Sequence, residues 1–239
     1  MSVAPDLFAW LRGLVSLAFV LLLPLLIIST SLRGLISDRD FMLRGFQDNH
    51  VAATTGLDDA QMVRIADAFV AYFQAPPGQI QMQVTAFGQP RALFNDREVT
   101  HMQDVQALIQ WFLRMQVVAA AVVVPRVAIA VLFDHSPGPI GREMLWSSGL
   151  MVALVILVAL LSLMDFEALW TRFHQIAFRN DLWQLDPTRD YLIMLFPEPF
   201  WFTATIRMAT TVAVQTLVLV VTGVGLIFSQ RFFGDRSTY

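Results

Sequence analysis

A chain of 239 residues that is 56% hydrophobic and only 15% charged, with mean hydropathy +0.58, departs from a soluble domain, which runs about 45–50% apolar and about 25% charged. A net charge of −3 leaves no basic surface for a nucleic acid, and no glycine-rich phosphate loop or zinc-finger spacing occurs. Zero cysteines exclude disulfides, thiolate metal centres and a cysteine nucleophile, and all 16 basic residues are arginine.

A membrane span needs roughly 20 mostly apolar residues. Residues 14–36 are the first to qualify. Their apolar run exceeds a secretory h-region of roughly 7–15 residues and no A-x-A cleavage pattern follows, so residues 1–36 read as a retained N-terminal transmembrane helix. Residues 37–106 come next, with 37–56, including His50, following no pattern. Over 57–73 the sequence predicts a helix, with Asp58 as N-cap, Gln61 as capping-box partner and Leu57 as staple to Met62. Its apolar face is Met62, Ile65, Ala66, Phe69, Val70 and Phe73. Residues 79–84 alternate strictly and predict a half-buried strand, with 87–90 as the turn and 91–94 returning. The segment is expected to form a small α+β cap.

Asn95 and Glu98 open a new helix that continues unbroken into the second span, 107–133. Within that span Arg126 is expected to snorkel to the inner headgroups, with Pro125 loosening the helix beside it. Arg114, near the outer end, is placed to neutralise Asp104, to hold a lipid carbonyl or phosphate, or to snorkel outward. A loop, 134–144, carries His135 and leads to the third span, 145–163. The helix leaving that span is expected to continue as an amphipathic interfacial helix with Phe166, Leu169, Trp170, Phe173, Ile176 and Ala177 as its stripe and His174 beside it. Residues 164–205 end in a turn-rich stretch whose Trp183 suits the headgroup level, with Pro197 and Pro199 bracketing the approach to the fourth span, 206–228. The fold class is therefore a mainly α membrane protein: four transmembrane helices with a small extracytoplasmic α+β cap. Four arginines in the 35 residues of 1–13, 134–144 and 229–239, against eight in the 112 residues of the other two hydrophilic segments, favour both termini inside.

That topology places His50, His101 and His174 outside and His135 inside. His101 and His174 each sit within about two helical turns of a span, with carboxylates or amides as neighbours, and form a candidate site at the outer interface. Imidazole titrates near neutrality, so the pair suits general acid/base work, with Asp104 placed to orient His101. The alternative is that each is a hydrogen-bonded or headgroup-facing interfacial side chain. No H-E-x-x-H or comparable spacing supports zinc, and no metal or organic cofactor is expected.

Residues 93–105 (LFNDREVTHMQDV) and 173–187 (FHQIAFRNDLWQLDP), with 196–198 (FPE), resemble the two signatures of the lipoprotein intramolecular transacylase family, and the four-span layout with an outer cap is similar to that family's. The resemblance implies a bacterial plasma-membrane acyltransferase acting on its extracytoplasmic face. Its substrates would be diacylglyceryl-modified lipoproteins, with membrane lipids as the other partners: the sn-2 acyl chain would move to the α-amine of the lipoprotein's own N-terminal cysteine. The family's two essential histidines fall on His101 and His174. The expectation for the mechanism is His174 as base toward the amine and His101, held by Asp104, as acid or oxyanion stabiliser, with the reverse assignment open. Arg97, Asn180 and Asp181 are expected to contact the headgroup or oxyanion, or else to serve as cap and turn residues. Two rivals from other classes are a non-catalytic membrane subunit that binds a partner through the cap, and an interfacial lipid hydrolase. No nucleic acid partner is expected.

Overall fold

The computed structural model describes residues 4–133 and 136–233; His135 lies outside them. Its elements in chain order are α1 (Ala4–Ile36), α2 (Arg39–Asp48), α3 (Val51–Thr55), α4 (Asp59–Gln74), β1 (Gln83–Ala86), β2 (Gln89–Ala92), α5 (Asp96–Leu132), α6 (Gly138–Met164), α7 (Phe166–Ala177), α8 (Tyr191–Leu195) and α9 (Glu198–Phe233). Among the described residues, four helices, α1, α5, α6 and α9, are long and apolar enough to cross a membrane. Their length is explained by their flanks: α5 begins in the polar run 96–106, so that about 55 Å of helix carries an apolar portion only from Ala107 onward.

The chain divides into two compact units. The first comprises residues 1–31, 113–159 and 209–239. It packs Phe19 and Leu23 of α1 against Val123 and Ala130 of α5 and Ile140 of α6. Gly141 and Gly223 let α6 and α9 meet backbone to backbone, because a Cβ on either would fall within 3 Å of the other's carbonyl oxygen. Arg126 does not snorkel. Its Nη2 lies 3.0 Å from Glu143 Oε1, with both side chains nearly buried, and Ser16 Oγ donates to the same oxygen. A charge in an apolar bundle is far more stable with a countercharge than alone, and the carboxylate from α6 supplies it.

The second unit comprises residues 32–112 and 160–208. The unpatterned segment 37–56 forms two helices. Asp38 caps α2 by accepting from the Phe41 N–H at 2.8 Å, and Phe41, Met42 and Phe46 are its buried face. In α4, Asp58 caps as expected, accepting from the Gln61 N–H at 2.8 Å. The Gln61 side chain does not complete a capping box: its amide bonds both the N–H and the C=O of Thr85, at 2.6 and 2.9 Å. A primary amide carries the same donor and acceptor as a peptide group, so Gln61 serves as one residue of a missing strand beside β1.

The hairpin itself is displaced along the chain from its expected place. Regular pairing runs from Gln83↔Ala92 to Ala86↔Gln89, which leaves only Phe87 and Gly88 as the turn. Both have positive φ, 50° and 78°, the signature of a two-residue turn whose twist suits a hairpin. The alternation still holds, since Ile80, Val84 and Ala86 are buried. Before Gln83 the ladder is continued by a side chain: Gln81 donates to the Phe94 carbonyl and accepts from its N–H. The buried Gln106 amide likewise accepts from Gly78 N–H and donates to the Tyr72 carbonyl.

Asn95 and Glu98 do form a capping box, each side chain accepting from the other's backbone N–H. The same Glu98 accepts from the Leu192 N–H at 2.6 Å, while Asn95 donates to Asp190. This knot ties the start of α5 to the segment leading into α8. The helix of the third span does not run on into α7. Asp165 breaks it with an extended backbone and caps α7 by accepting from the Ala168 N–H at 2.9 Å. Across this corner the expected stripe divides: Phe166 turns inward, and Ile176 is 87% exposed.

Candidate functional site

His101 stands on the second turn of α5, ahead of the apolar run, and His174 on the last turn of α7. Both are buried, 6% and 7% exposed, and their ring centroids are 6.0 Å apart. Aromatic rings enclose them. Phe178 lies 5.1 Å from His101 and 5.5 Å from His174. Trp170 meets His174 edge-on at 4.7 Å, and Trp183 covers it at 5.0 Å and a 33° tilt. Trp170 and Phe178 are one helical turn before and after His174, a spacing visible in the sequence; the meeting with Trp183 is not, and that residue lies over an imidazole as well as being half-buried.

The tautomer of His174 follows from its hydrogen bond. Nδ1 lies 2.8 Å from the Trp170 carbonyl oxygen, which only accepts, so Nδ1 carries the hydrogen and the neutral ring presents a lone pair at Nε2. Burial lowers the His174 pKa below its usual 6.5, while the Trp170 carbonyl acts in the other direction. His174 is therefore a neutral base at neutral pH. His101 is lowered further, to about 4, chiefly by burial and then by the nearby His174, with Asp104 opposing the shift and Arg97 adding to it. Among the described residues its buried Nδ1 has no hydrogen-bond partner, which is uncommon for a buried polar atom.

The remaining expected residues arrange themselves around this pair in specific ways. Asp104 makes its hydrogen bond to the Asn180 amide, at 2.9 Å, and acts on His101 through its charge. Asn180 also accepts from the Leu182 N–H. Arg97 donates to the carbonyls of Asp181, at 2.5 Å, and Leu182, at 3.3 Å. The Asp181 carboxylate accepts from Gln184 within its own loop. Together Arg97, Asn180 and Asp104 fasten the loop after α7, the loop that brings Trp183 over His174. Arg114 belongs to the first unit, and His50 is exposed at the start of α3. Among the described residues no group of three or more His, Cys, Asp or Glu side chains is placed to hold a metal ion.

A family model described as lipoprotein intramolecular transacylase Lit matches residues 17–201 of the chain. An uncharacterized protein of Aquifex aeolicus (strain VF5) is 22% identical over 214 residues, which is 90% of this chain and 95% of that protein. Among solved structures, the membrane-integral lipoprotein intramolecular transacylase Lit from Bacillus cereus is similar with a TM-score of 0.80 at 16% identity, over 94% of this chain and 99% of that one. A histidine-to-alanine variant of the same protein gives a TM-score of 0.75 at 15% identity, over 95% and 98%.

Proposed function

The chain belongs to the lipoprotein intramolecular transacylase family, and from that premise we propose that it moves the sn-2 acyl chain of a diacylglyceryl-modified lipoprotein onto the α-amine of the same lipoprotein's N-terminal cysteine, with His101 and His174 as the catalytic pair. The observation that supports the chemical assignment is the approach of the tautomer-fixed His174 to a second buried histidine, His101, at 6.0 Å between ring centroids, with the His101 Nδ1 unbonded among the described residues.

Donor ester and acceptor amine belong to one molecule, so no acyl-enzyme is needed; the protein must hold the two ends together, which proximity rewards heavily. An α-amine has a pKa of about 7.7–8.0 and is mostly protonated at neutral pH. After one proton leaves to solvent, the nitrogen attacks the ester carbonyl, and the C–N bond forms as the carbonyl electrons move to oxygen. His174 Nε2 takes the second proton from that nitrogen and returns it to the departing glycerol oxygen as the C–O bond breaks, which leaves the imidazole as it began. His101, kept neutral by burial, is a poor source of imidazolium at neutral pH. It stabilises the oxyanion through its neutral N–H, as an electrophilic donor. The enclosing rings of Trp170, Phe178 and Trp183 exclude water, which favours amide formation over hydrolysis.

The chain is a multi-pass membrane protein. We place it in the bacterial plasma membrane, with the histidines on the extracytoplasmic side, on the arginine bias and on the gathering of both acid-rich segments into the unit that holds the pair. Membrane lipids surround it, the reaction as written needs no cofactor, and the net negative charge argues against a nucleic acid. The test is fragmentation mass spectrometry of the N-terminal lipopeptide of a reporter lipoprotein, because substrate and product are isobaric. Wild type should convert the diacylglyceryl form to the N-acyl lyso form, and His174→Ala should slow this by about 10² to 10⁴. Full conversion by His174→Ala would remove that residue from the mechanism.

A further inference from the structure

The second unit contains a groove of about 280 Å³ lined by Phe41, Arg44, Gly45 and Asp48 of α2, by Asn49, and by Phe200, Thr203 and Arg207 of α9. None of these residues takes part in the histidine cluster. Its depth relative to the bilayer follows from the chain: the apolar run of α1 ends at Ile36, Asp38 caps α2, and Arg207 directly follows Ile206, where the apolar run of α9 opens. The groove therefore lies where hydrocarbon gives way to headgroups.

Its floor and walls differ in chemistry. The floor is aromatic, Phe41 against Phe200 at 5.3 Å, and Gly45 is what admits the Phe200 ring, since a Cβ there would approach it to 2.4 Å. On one wall Arg207 is already compensated. Its Nη2 bonds Asp38 at 2.5 Å and its guanidinium lies 4.7 Å over the Phe41 ring, with the side chain still 38% exposed. On the other wall Arg44 and Asp48 stand one turn apart on α2. Among the described residues no hydrogen bond or ion pair within 4 Å engages Arg44, which acts on Asp38 only through its longer-range charge. The groove thus offers one cation and one anion side by side above an apolar floor. That pattern complements a zwitterion, whereas a purely anionic headgroup would meet Asp48 unfavourably.

We propose that this groove binds the headgroup of a phosphatidylethanolamine-type phospholipid, with Arg44 on the phosphodiester, Asp48 on the primary ammonium and the start of an acyl chain on Phe41 and Phe200. A diacylglyceryl group carries no phosphate, so the site is distinct from that of the acyl donor. The assignment stands on the groove and on the apolar helices, independently of the transacylase reading.

Native mass spectrometry tests it on the full chain in mild detergent, incubated with phosphatidylethanolamine, phosphatidylglycerol or diacylglycerol of identical acyl chains. Wild type should retain phosphatidylethanolamine in preference to both others. Arg44→Gln should retain it about tenfold less, the scale of one charge-assisted contact. Asp48→Asn should lose the preference over phosphatidylglycerol. Arg44 is exposed on α2, so its replacement leaves the packed face intact, and the variant should still convert the reporter lipoprotein; the two readings therefore fail separately. Equal or better retention of phosphatidylglycerol or diacylglycerol by wild type, or wild-type retention by Arg44→Gln, overturns the assignment.

Discussion

Replacing His101 by Gln removes one titrating ring from the buried pair, and the structure fixes the direction and size of the resulting change in stability. In the unfolded chain this histidine titrates near its usual 6.5; in the folded protein it titrates at about 4. Between these values the unfolded state binds the proton and the folded state does not. The stabilisation is thus complete above pH 6.5 and is lost as the pH falls toward 4. At 1.36 kcal/mol per pH unit, wild type should lose about 2 kcal/mol between pH 7.5 and pH 5 through this residue alone. The assay is thermal unfolding of wild type and His101→Gln in one detergent at the two pH values, followed by tryptophan fluorescence. Carboxylates outside the pair titrate alike in both proteins and cancel in the comparison. The wild-type midpoint should fall by several degrees more than the variant's. An equal fall in both would refute the claim that burial keeps His101 neutral, and with it the assignment of that residue as a neutral oxyanion donor.

Two other perturbations follow from the packing. Gly45→Ala sets a methyl group 2.4 Å from a Phe200 ring carbon. That ring is held between Phe41, Phe196 and Trp201, so the variant should be destabilised by about 1–3 kcal/mol, measured as a lowered unfolding midpoint; an unchanged midpoint would mean that the ring swings aside freely. Arg97→Ala frees the carbonyls of Asp181 and Leu182, and with them the loop bearing Trp183. In the reporter assay it should slow acyl transfer, with His174 chemically intact. Rescue by Arg97→Lys to the wild-type rate would show that a single charge, rather than the paired donation to two carbonyls, holds the loop.

Much of the fold can be read from composition and local pattern, and what cannot be read has identifiable physical causes. The four long apolar helices require only hydropathy, and the caps at Asp58 and Asn95 are local hydrogen bonds within three residues. Segment 37–56 is illegible because α2 is a polar helix with three buried positions and α3 a single turn opened by His50 in a left-handed conformation; neither is long enough for a period to emerge. The partner of Arg126 lies on another helix, so a single-span argument reaches only as far as snorkelling. The corner at Asp165 has an N-cap residue but no Glu or Gln three positions later to reinforce the signal. At the candidate site, His101 and His174 are separated by two whole spans and the loop between them. Local spacing identifies each as interfacial, but their 6.0 Å approach and the fixed Nδ1 hydrogen of His174 arise only from tertiary structure.

The glutamines of the second unit bear on how long the protein lasts as a chemical object. Gln61, Gln81 and Gln106 each complete backbone hydrogen bonding with one amide that donates and accepts at once; the first two extend the two-stranded hairpin where further strands would otherwise stand, and the third fills the same role between Tyr72 and Gly78. Deamidation of any of the three would exchange a donor for a carboxylate oxygen and set it against a carbonyl. Covalent ageing at Gln61 and Gln81 would then unpick the hairpin one bond pair at a time, and at Gln106 it would loosen the end of α4 from α5, all without any break in the chain.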